Sequence, residues 1–205
     1  MASTHLWRDK APILLASKSA IRRALLTAAG IPFESVAAEI DERALETPLR
    51  KKGATTVAAH LARAKALAVA RTNSGRLVIG ADQTLALDDT IFAKPSDLDA
   101  ARAQLARLSG RSHTLHSALC VARTEEVLFE TVESATLTCR AFGADFIERY
   151  LGAVGEQALA SVGAYQVEAL GIQLFERIEG DHTTILGLPM LPLLAFLRRE
   201  GSLAG

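Results

Sequence analysis

The amino-acid sequence predicts an α/β protein in which helices pack against a mixed β-sheet. Short apolar runs typical of buried strands recur along the chain, and segments with the helical period of 3.6 residues lie between them. The two kinds of segment do not alternate strictly, as they would in a doubly wound parallel sheet, so we expect parallel and antiparallel neighbours in one sheet. The 205 residues are 49% hydrophobic, which suffices for one sizeable core and predicts a single domain over 1–205.

The first elements are predicted close to the N-terminus. Residues 13–16 are apolar throughout, as in a buried strand, and Ser19 can cap the helix that follows, which Gly30 ends. Residues 33–37 predict a second strand. We expect the first helix to present one apolar face, formed by Ile21, Ala24, Leu25 and Ala28.

A charged segment and a long helix are predicted next. Residues 39–53 are charged and interrupted by proline and glycine, so they predict a loop. Residues 55–71 are rich in alanine and predict the long helix. Three short strands are expected after it, at residues 77–81, 83–87 and 91–93, the last two joined in a hairpin by Asp88 and Asp89.

The second half of the chain begins with a capping signal. Ser96 and Asp99 have the spacing of a capping box, and they predict a helix that ends at Gly110. The remaining predicted elements are strands over residues 113–122 and 127–139, a helix over 144–151, a strand near 176–180 with a Gly-Pro turn after it, and a closing helix over 193–199.

The composition excludes several classes of function. Lysine plus arginine and aspartate plus glutamate number 23 each, so the formal net charge is zero and no overall field favours nucleic acid or an anionic membrane. No stretch approaches the ~20 apolar residues of a membrane span, and the apolar run at 11–16 is too short for a signal peptide. Cys120 and Cys139 lack a metal-binding spacing and predict free thiols in a reducing compartment. We therefore expect a cytoplasmic protein with neither nucleic-acid nor membrane partners.

The junction of the first strand and the first helix is a candidate anion site. The hydroxyls of Ser17 and Ser19, the backbone N–H groups of the helix start and the guanidiniums of Arg22 and Arg23 can converge there. A phosphate would attract both the arginines and the positive end of the helix dipole, which repel each other without it. The alternative is that both arginines point into solvent, where the dipole costs only a few tenths of a kcal/mol.

Two charged residues follow apolar patterns. Lys65 lies in line with an apolar stripe of the long helix, so its ammonium must extend outward to water or meet an anionic partner. Asp82 follows the apolar run of residues 77–81, where α/β proteins commonly place ligands. Its carboxylate could ligate Mg²⁺ or deprotonate a water molecule, or it could simply end the strand in a turn.

Other polar residues allow two interpretations or carry no signal. Lys94 begins a Lys-Pro turn and could also be a further cation near a bound anion, and the pair Asp41 and Glu42 could hold a divalent ion or remain solvated. His113 and His116 are interpreted as ordinary polar positions of a strand. The sequence contains no P-loop, no dinucleotide fingerprint and no zinc-protease motif.

Eight segments in order resemble the Maf family of nucleotide pyrophosphatases, from about Ile13 to Arg199. The segments that carry the resemblance are LASKSAIRRALL (15–26), IDE (40–42), LARAKA (61–66), VIGADQ (78–83), KP (94–95), LSGRSH (108–113), GAYQVE (163–168) and IEGDHTTILGLP (178–189). Each motif alone is short, but eight in the family's order are highly specific.

The resemblance implies a two-lobed fold with a bent mixed sheet and a central cleft, often assembled as a homodimer. It implies hydrolysis of a nucleoside triphosphate to the monophosphate and pyrophosphate with Mg²⁺ or Mn²⁺, which removes non-standard or surplus nucleotides. Asp82 matches the family's catalytic aspartate, and Glu42 and Asp82 match acidic positions that can hold the metal. The residues that match its phosphate-handling positions are Ser17, Arg22, Lys65 and Lys94.

Positions that vary between branches of the family bear on the substrate. Gln83 and Glu168 look like the branch that favours 7-methyl-GTP rather than the branch that hydrolyses dTTP and UTP, whereas Ile21 replaces the tryptophan usual in the former. Two other functions stay open beside the pyrophosphatase. One is a nucleotide-binding regulator of cell division with little catalysis, and the other is a hydrolase of different linkages such as those of dinucleotide polyphosphates.

Overall fold

A computed structural model of the chain describes residues 6–205; residues 1–5, which the predicted domain includes, lie outside the described residues. The strands are β1 (Ile13–Leu15), β2 (Phe33–Ser35), β3 (Leu77–Leu87), β4 (Thr90–Phe92), β5 (Ser112–Arg123), β6 (Glu126–Cys139) and β7 (Phe175–Glu179). The helices are α1 (Ala20–Ala28), α2 (Glu42–Glu46), α3 (Ala54–Thr72), α4 (Leu98–Leu108), α5 (Ala144–Val154), α6 (His182–Ile185) and α7 (Met190–Glu200). Short 3₁₀ helices occupy Thr47–Lys52, Gly155–Ala160, Val162–Ala164 and Leu170–Leu174.

The predicted mixed sheet is confirmed. Its seven strands run in the order β2-β1-β3-β5-β6-β7, and β4 also pairs with β3. Strand β1 is parallel to β2 and β3, while the β3–β4, β3–β5, β5–β6 and β6–β7 pairs are antiparallel. Parallel and antiparallel neighbours therefore meet at β3, in which nine of the eleven residues are buried.

One edge of β3 is shared by two short strands with a gap between them. Strand β1 pairs with Val78 and Ile79, and β4 pairs with the stretch from Leu85 to Leu87. Within the described part of the chain, residues 80–84 have no strand on this edge, although β5 continues along the opposite edge. The gap leaves room for a cleft beside the middle of β3.

The apolar core divides on either side of that gap. Leu85 and Leu87 pack in a cluster with residues of α4, α5 and β6. Ile79 packs with residues of β1, α1 and α7, and Val78 packs under α3. One sheet thus supports two packed units, which agrees with the predicted lobes on either side of a cleft.

Helix α3 lies unusually close to β3 because the residues between them are small. A Cβ placed on Gly80 would lie 2.5 Å from the backbone nitrogen of Ala66 and 2.9 Å from its Cβ, and still closer to the carbonyl oxygen of Ala62. The alanines on this face of α3 are fully buried. Close packing of this kind requires glycine in the strand, and it sets how near the side chains of α3 come to those of β3.

Several predicted elements differ in the structure. Residues 39–53 are not a loop, because the Asp41 carboxylate accepts the backbone N–H of Ala44 and caps α2, and a 3₁₀ helix with Pro48 in its first turn follows. The two strands predicted over 77–81 and 83–87 form one continuous strand, because the β5 pairing continues through position 82.

Two local details of the helices also differ from the prediction. Helix α4 is capped by Asp97, whose carboxylate accepts the backbone N–H of Ala100, and Ser96 instead donates to that carboxylate. In α1 the buried residue is Leu26, while Ala24 and Ala28 are exposed, because the helix turns the side of Leu26 toward the core. The N-cap at Ser19 is confirmed.

The free thiols predicted from the sequence are also present. Cys120 and Cys139 are buried and unpaired with each other, and burial raises the pKa of each thiol to about 12. Within residues 6–205, no helix combines the length and the apolar character that crossing a membrane requires.

Candidate active site

The cleft beside the gap in β3 is a cavity of about 660 Å³. Its size falls in the range of small-molecule sites. All nine site residues predicted from the sequence line it: Ser17, Ile21, Arg22, Glu42, Lys65, Asp82, Gln83, Lys94 and Glu168. The structure therefore brings together residues that are spread over about 150 positions of the chain.

Lys65, Asp82 and Glu42 form the charged centre of the cavity. The Lys65 ammonium donates to Asp82 Oδ1 at 2.6 Å and to Glu42 Oε2 at 2.9 Å. Lys65 and Asp82 are each only 8% exposed, whereas Glu42 lies at the surface. Of the two outcomes considered for Lys65, the structure shows the anionic partner.

The surroundings of Asp82 increase its affinity for a proton. Burial raises the pKa of the Asp82 carboxyl, and the Lys65 ammonium and the Arg22 guanidinium offset this only in part. A carboxylate that is buried, held in place by a cation and raised in pKa is suited to accept a proton from water.

One alternative from the sequence was that Asp82 ends its strand in a turn. The structure shows that it does not, because β3 continues to Leu87. The strand that does end here is β1, whose last residue, Leu15, lies beside Ile79. Asp82 is three residues beyond Ile79 on β3, and therefore lies past the carboxyl end of the parallel strand β1. Ligand sites of α/β sheets are commonly found at such ends.

Arg22 is held by the protein backbone at the start of α1. Its Nε donates to the Gly187 carbonyl at 2.7 Å, and its Nη1 donates to the Ala81 carbonyl at 2.8 Å and lies 3.4 Å from Ser17 Oγ. Carbonyl oxygens of other elements thus offset the unfavourable helix dipole, and Nη2 has no hydrogen bond to the rest of the described chain. Arg23 is exposed, so the two adjacent arginines have different environments.

Another wall of the cavity comes from the segment near residue 160, which contributes lining residues between Ala160 and Glu168. In the extended backbone around Tyr165, the side chains of Tyr165 and Val167 are buried, while those of Gln166 and Glu168 line the cavity. Lys94 also lines it from the β4–α4 connection and is exposed, without an ion pair to the described residues. Among the described lining residues there is no aromatic side chain, and Ile21 of α1 is one of the apolar ones.

Gln83 belongs to a hydrogen-bond network that reaches across the sheet. Its Nε2 donates to Ser117 Oγ at 2.9 Å, to the Ile185 carbonyl at 2.9 Å and to the Thr184 carbonyl at 3.2 Å. Ser117 in turn donates to the Thr184 carbonyl at 2.6 Å. The end of α6 is therefore tied to the two strands at the floor of the cleft.

Sequence reasoning missed Ser117 and Gly187. Ser117 is one of several polar residues of β5, and no spacing or motif distinguishes it from an ordinary buried serine. Gly187 lies within a segment that matched the family, but its carbonyl acts through the backbone, which residue type does not reveal. Its left-handed φ of 88° explains the glycine.

The donor set of the cavity fits a divalent ion that shares its ligands with a substrate. Within the described residues, no group of three His, Cys, Asp or Glu side chains could hold a metal alone. The carboxylates of Asp82 and Glu42 both pair with the Lys65 ammonium and so lie close to each other. Mg²⁺ typically binds one or two carboxylates, substrate phosphates and water, so these residues fit such an ion together with a phosphate.

Comparison with known protein families identifies the family of the chain. A family model described as "Maf-like protein" matches residues 12–200, almost the whole chain. The chain belongs to this family. The match includes each of the nine cavity residues predicted from the sequence.

Curated members of the Maf-like family are also similar over nearly their full lengths. The chain is 56% identical over 195 residues to the 7-methyl-GTP pyrophosphatase of Brucella abortus biovar 1 (strain 9-941), covering 94% of this chain and 98% of that protein. It is 55% identical over 193 residues to the 7-methyl-GTP pyrophosphatase of Rhizobium meliloti (strain 1021), covering 93% and 97%. It is 49% identical over 199 residues to a nucleoside triphosphate pyrophosphatase of Nitrobacter hamburgensis (strain DSM 10229 / NCIMB 13809 / X14), covering 97% and 98%.

Proposed function

We propose that the chain is a nucleoside triphosphate pyrophosphatase that releases the nucleoside monophosphate and pyrophosphate. The observation that carries the proposal is the buried Asp82 carboxylate, held by Lys65 at 2.6 Å inside a 660 Å³ cleft of a Maf-like chain. The names of the curated relatives describe the same class of reaction. Removal of unwanted nucleotides is the role we propose for it.

The residues of the cleft divide the chemistry among them. Asp82 accepts a proton from the water molecule that attacks the α-phosphorus, and the bond between the α- and β-phosphates breaks as pyrophosphate leaves. Arg22 and Lys94 face the negative charge that accumulates on the leaving group, and Ser17 adds a hydroxyl donor at the start of α1. Because backbone carbonyls hold Arg22 in place, its charge stabilises the leaving group with little reorganisation.

We propose Mg²⁺ or Mn²⁺ as the cofactor, held by Asp82 and Glu42. When bound, the ion supplies positive charge to the non-bridging phosphate oxygens. Lys65 holds both carboxylates in one place, so that they face the same part of the cleft. Its ammonium also reduces their mutual repulsion when the ion is absent.

We propose 7-methyl-GTP as a preferred substrate. Two of the curated relatives described above carry this substrate in their names. In this chain Glu168 is the acidic side chain that the segment near residue 160 contributes to the cavity. The methylated base carries a positive charge, which a carboxylate attracts more strongly than it attracts neutral guanine.

A panel of triphosphates tests the proposal. Standard nucleotides and 7-methyl-GTP are incubated with the full chain and Mg²⁺ or Mn²⁺, and the products are separated by ion-exchange chromatography. Monophosphate and pyrophosphate in equal amounts are expected, with activity lost in Asp82→Asn and retained in Asp89→Asn, an exposed turn carboxylate outside the cavity. Orthophosphate as the product, or full activity of Asp82→Asn, would refute the mechanism. Binding without turnover by the wild type would instead favour a nucleotide-binding regulator.

A further inference from the structure

A buried serine outside the predicted site contacts a residue inside it. Ser117 is fully buried in β5 and lies opposite Gln83 of β3 in the sheet register. Its hydroxyl donates its proton to the Thr184 carbonyl and accepts an N–H of Gln83. The serine thus joins β3, β5 and the end of α6 through one oxygen atom.

The partners of Gln83 determine which end of its amide faces the cleft. Carbonyl oxygens only accept hydrogen bonds, so the group that faces Thr184 and Ile185 must be the NH₂ group of the amide. Ser117 reinforces this orientation, because its proton is already donated to Thr184 and its oxygen is left as an acceptor. Both N–H donors of Gln83 are therefore used within the protein.

Among residues 6–205, no group donates a hydrogen bond to the carbonyl oxygen Oε1 of Gln83. A Cβ placed on Gly187 would lie 3.6 Å from Oε1 and 3.4 Å from Nη2 of Arg22, so this oxygen is on the side of the amide that faces Arg22, another residue of the cavity wall. Gln83 lines the cavity directly after Asp82 in the chain. A substrate in the cleft consequently meets a hydrogen-bond acceptor at this position.

We infer that Ser117 is a positioning residue that fixes the Gln83 amide so that the cleft presents Oε1 to an N–H or O–H donor of the nucleotide. The inference rests on the proposed function, because it concerns how that same cleft binds its substrate. Ser117 does not touch the substrate and acts through Gln83. Its loss would remove one of the three acceptors of Gln83 Nε2 and the side-chain donor from the Thr184 carbonyl, so the two carbonyls alone would hold the amide, and less tightly.

The test compares Ser117→Ala, Gln83→Ala and the double variant by two measurements. The first is kcat and KM for triphosphate hydrolysis, and the second is the Kd of a non-hydrolysable α,β-methylene triphosphate by calorimetry. Ser117→Ala is expected to raise KM and Kd about 2- to 10-fold, the value of one neutral hydrogen bond, with kcat changed less than about 2-fold. In the Gln83→Ala background the same substitution is expected to have no further effect, because its intermediary is absent.

Thr84→Ala is the matched control for lost stability. Thr84 is the next residue in β3, is 5% exposed, and donates one hydrogen bond from its buried hydroxyl to the Ala54 carbonyl. It is expected to lower the melting temperature with KM and Kd unchanged. If Ser117→Ala does not fold, Ser117→Cys, whose thiol is a weaker donor of similar shape, is expected to give an intermediate rise in Kd.

Two results would overturn the inference. One is a Ser117 variant that lowers the melting temperature as Thr84→Ala does but leaves KM and Kd unchanged. The other is an undiminished effect of Ser117→Ala in the Gln83→Ala background. A wild type that binds the triphosphate without hydrolysing it refutes only the proposed reaction, because the Kd values of the variants still test the role of Ser117. A wild type that binds no triphosphate refutes both.

Discussion

Gly80→Ala is expected to separate Lys65 from Asp82 without changing either residue. The added Cβ would lie 2.5 Å from the Ala66 nitrogen, whereas ordinary contacts begin near 3.4 Å, so α3 must move away by about 1 Å. The obstacles include backbone atoms, which cannot rotate aside as a side chain can. Because Lys65 is carried by α3 and Asp82 by β3, a shift of that size would stretch their 2.6 Å hydrogen bond beyond its normal range.

Both stability and activity are expected to fall. Overpacking of this kind costs about 1–3 kcal/mol, and for a domain of this length each kcal/mol lowers the melting temperature by roughly 2–4 °C. Misplacement of a catalytic group by about 1 Å can reduce the rate about 100-fold, so we expect kcat to fall by about one to two orders of magnitude. Melting is followed by circular dichroism, and kcat by pyrophosphate release well below the melting temperature.

Gly152→Ala provides the matched control, because a Cβ at this position of α5 meets no neighbouring atom within 4 Å. It is expected to leave kcat unchanged and to stabilise the protein by about 0.5–1 kcal/mol, as alanine does in a helix interior. A Gly80→Ala protein with wild-type kcat and melting temperature would show that α3 does not depend on this contact to place Lys65.

Three further predictions follow from the charges of the site and the core. Because the pKa of Asp82 is raised and the proposed base must be deprotonated, kcat/KM is expected to fall with decreasing pH at values above the ordinary 3.8; a pH–rate profile flat down to pH 4 would contradict this. Burial lowers the pKa of His113 to about 4, so between pH 6.5 and 4 the unfolded chain binds a proton that the folded chain does not. The free energy of unfolding should therefore decrease by up to about 3 kcal/mol as the pH falls through this interval. Denaturant titrations should show a smaller decrease for His113→Gln. Equal decreases in both proteins would show that the buried His113 is not the cause. Glu168→Gln is expected to raise KM for 7-methyl-GTP about 2- to 5-fold, the range for an exposed ion pair, and to leave KM for GTP unchanged. Equal increases for both nucleotides would show that the Glu168 carboxylate does not interact with the positive charge of the base.

The elements that the sequence predicted well are those with strong local signals. Ser19 caps α1 as its position before an amphipathic segment indicated, and the alanine-rich residues form α3 within one residue of the predicted limits. The sequence failed where polar composition was interpreted as a loop, at residues 39–53. There the Asp41 cap and the contact of Leu45 and Leu49 with a small apolar cluster support helical turns.

The roles of charged residues were open in the sequence because their partners are distant along the chain. Lys65 could have reached solvent, and only the close approach of α3 to Gly80 places it on Asp82. Arg22 at a helix start could have pointed outward, but it donates to a carbonyl 165 positions away. Periodicity and capping motifs describe interactions within a few residues, so they cannot report contacts of this kind.

The sequence by itself determined the α/β class, the family resemblance and the nine candidate site residues, because these depend on local patterns and on motifs in order. The tertiary structure decided that β1 and β4 share one edge of β3 and leave a gap between them. That gap opens the cleft, and packing across the sheet brings the charges of separate segments into it. The tertiary structure also decided which atoms remain available to a substrate. Arg22 Nε already donates to the Gly187 carbonyl, and Gln83 Nε2 already donates to Ser117. Hydrogen bonds of this kind depend on three-dimensional distance, which the linear order of residues does not contain.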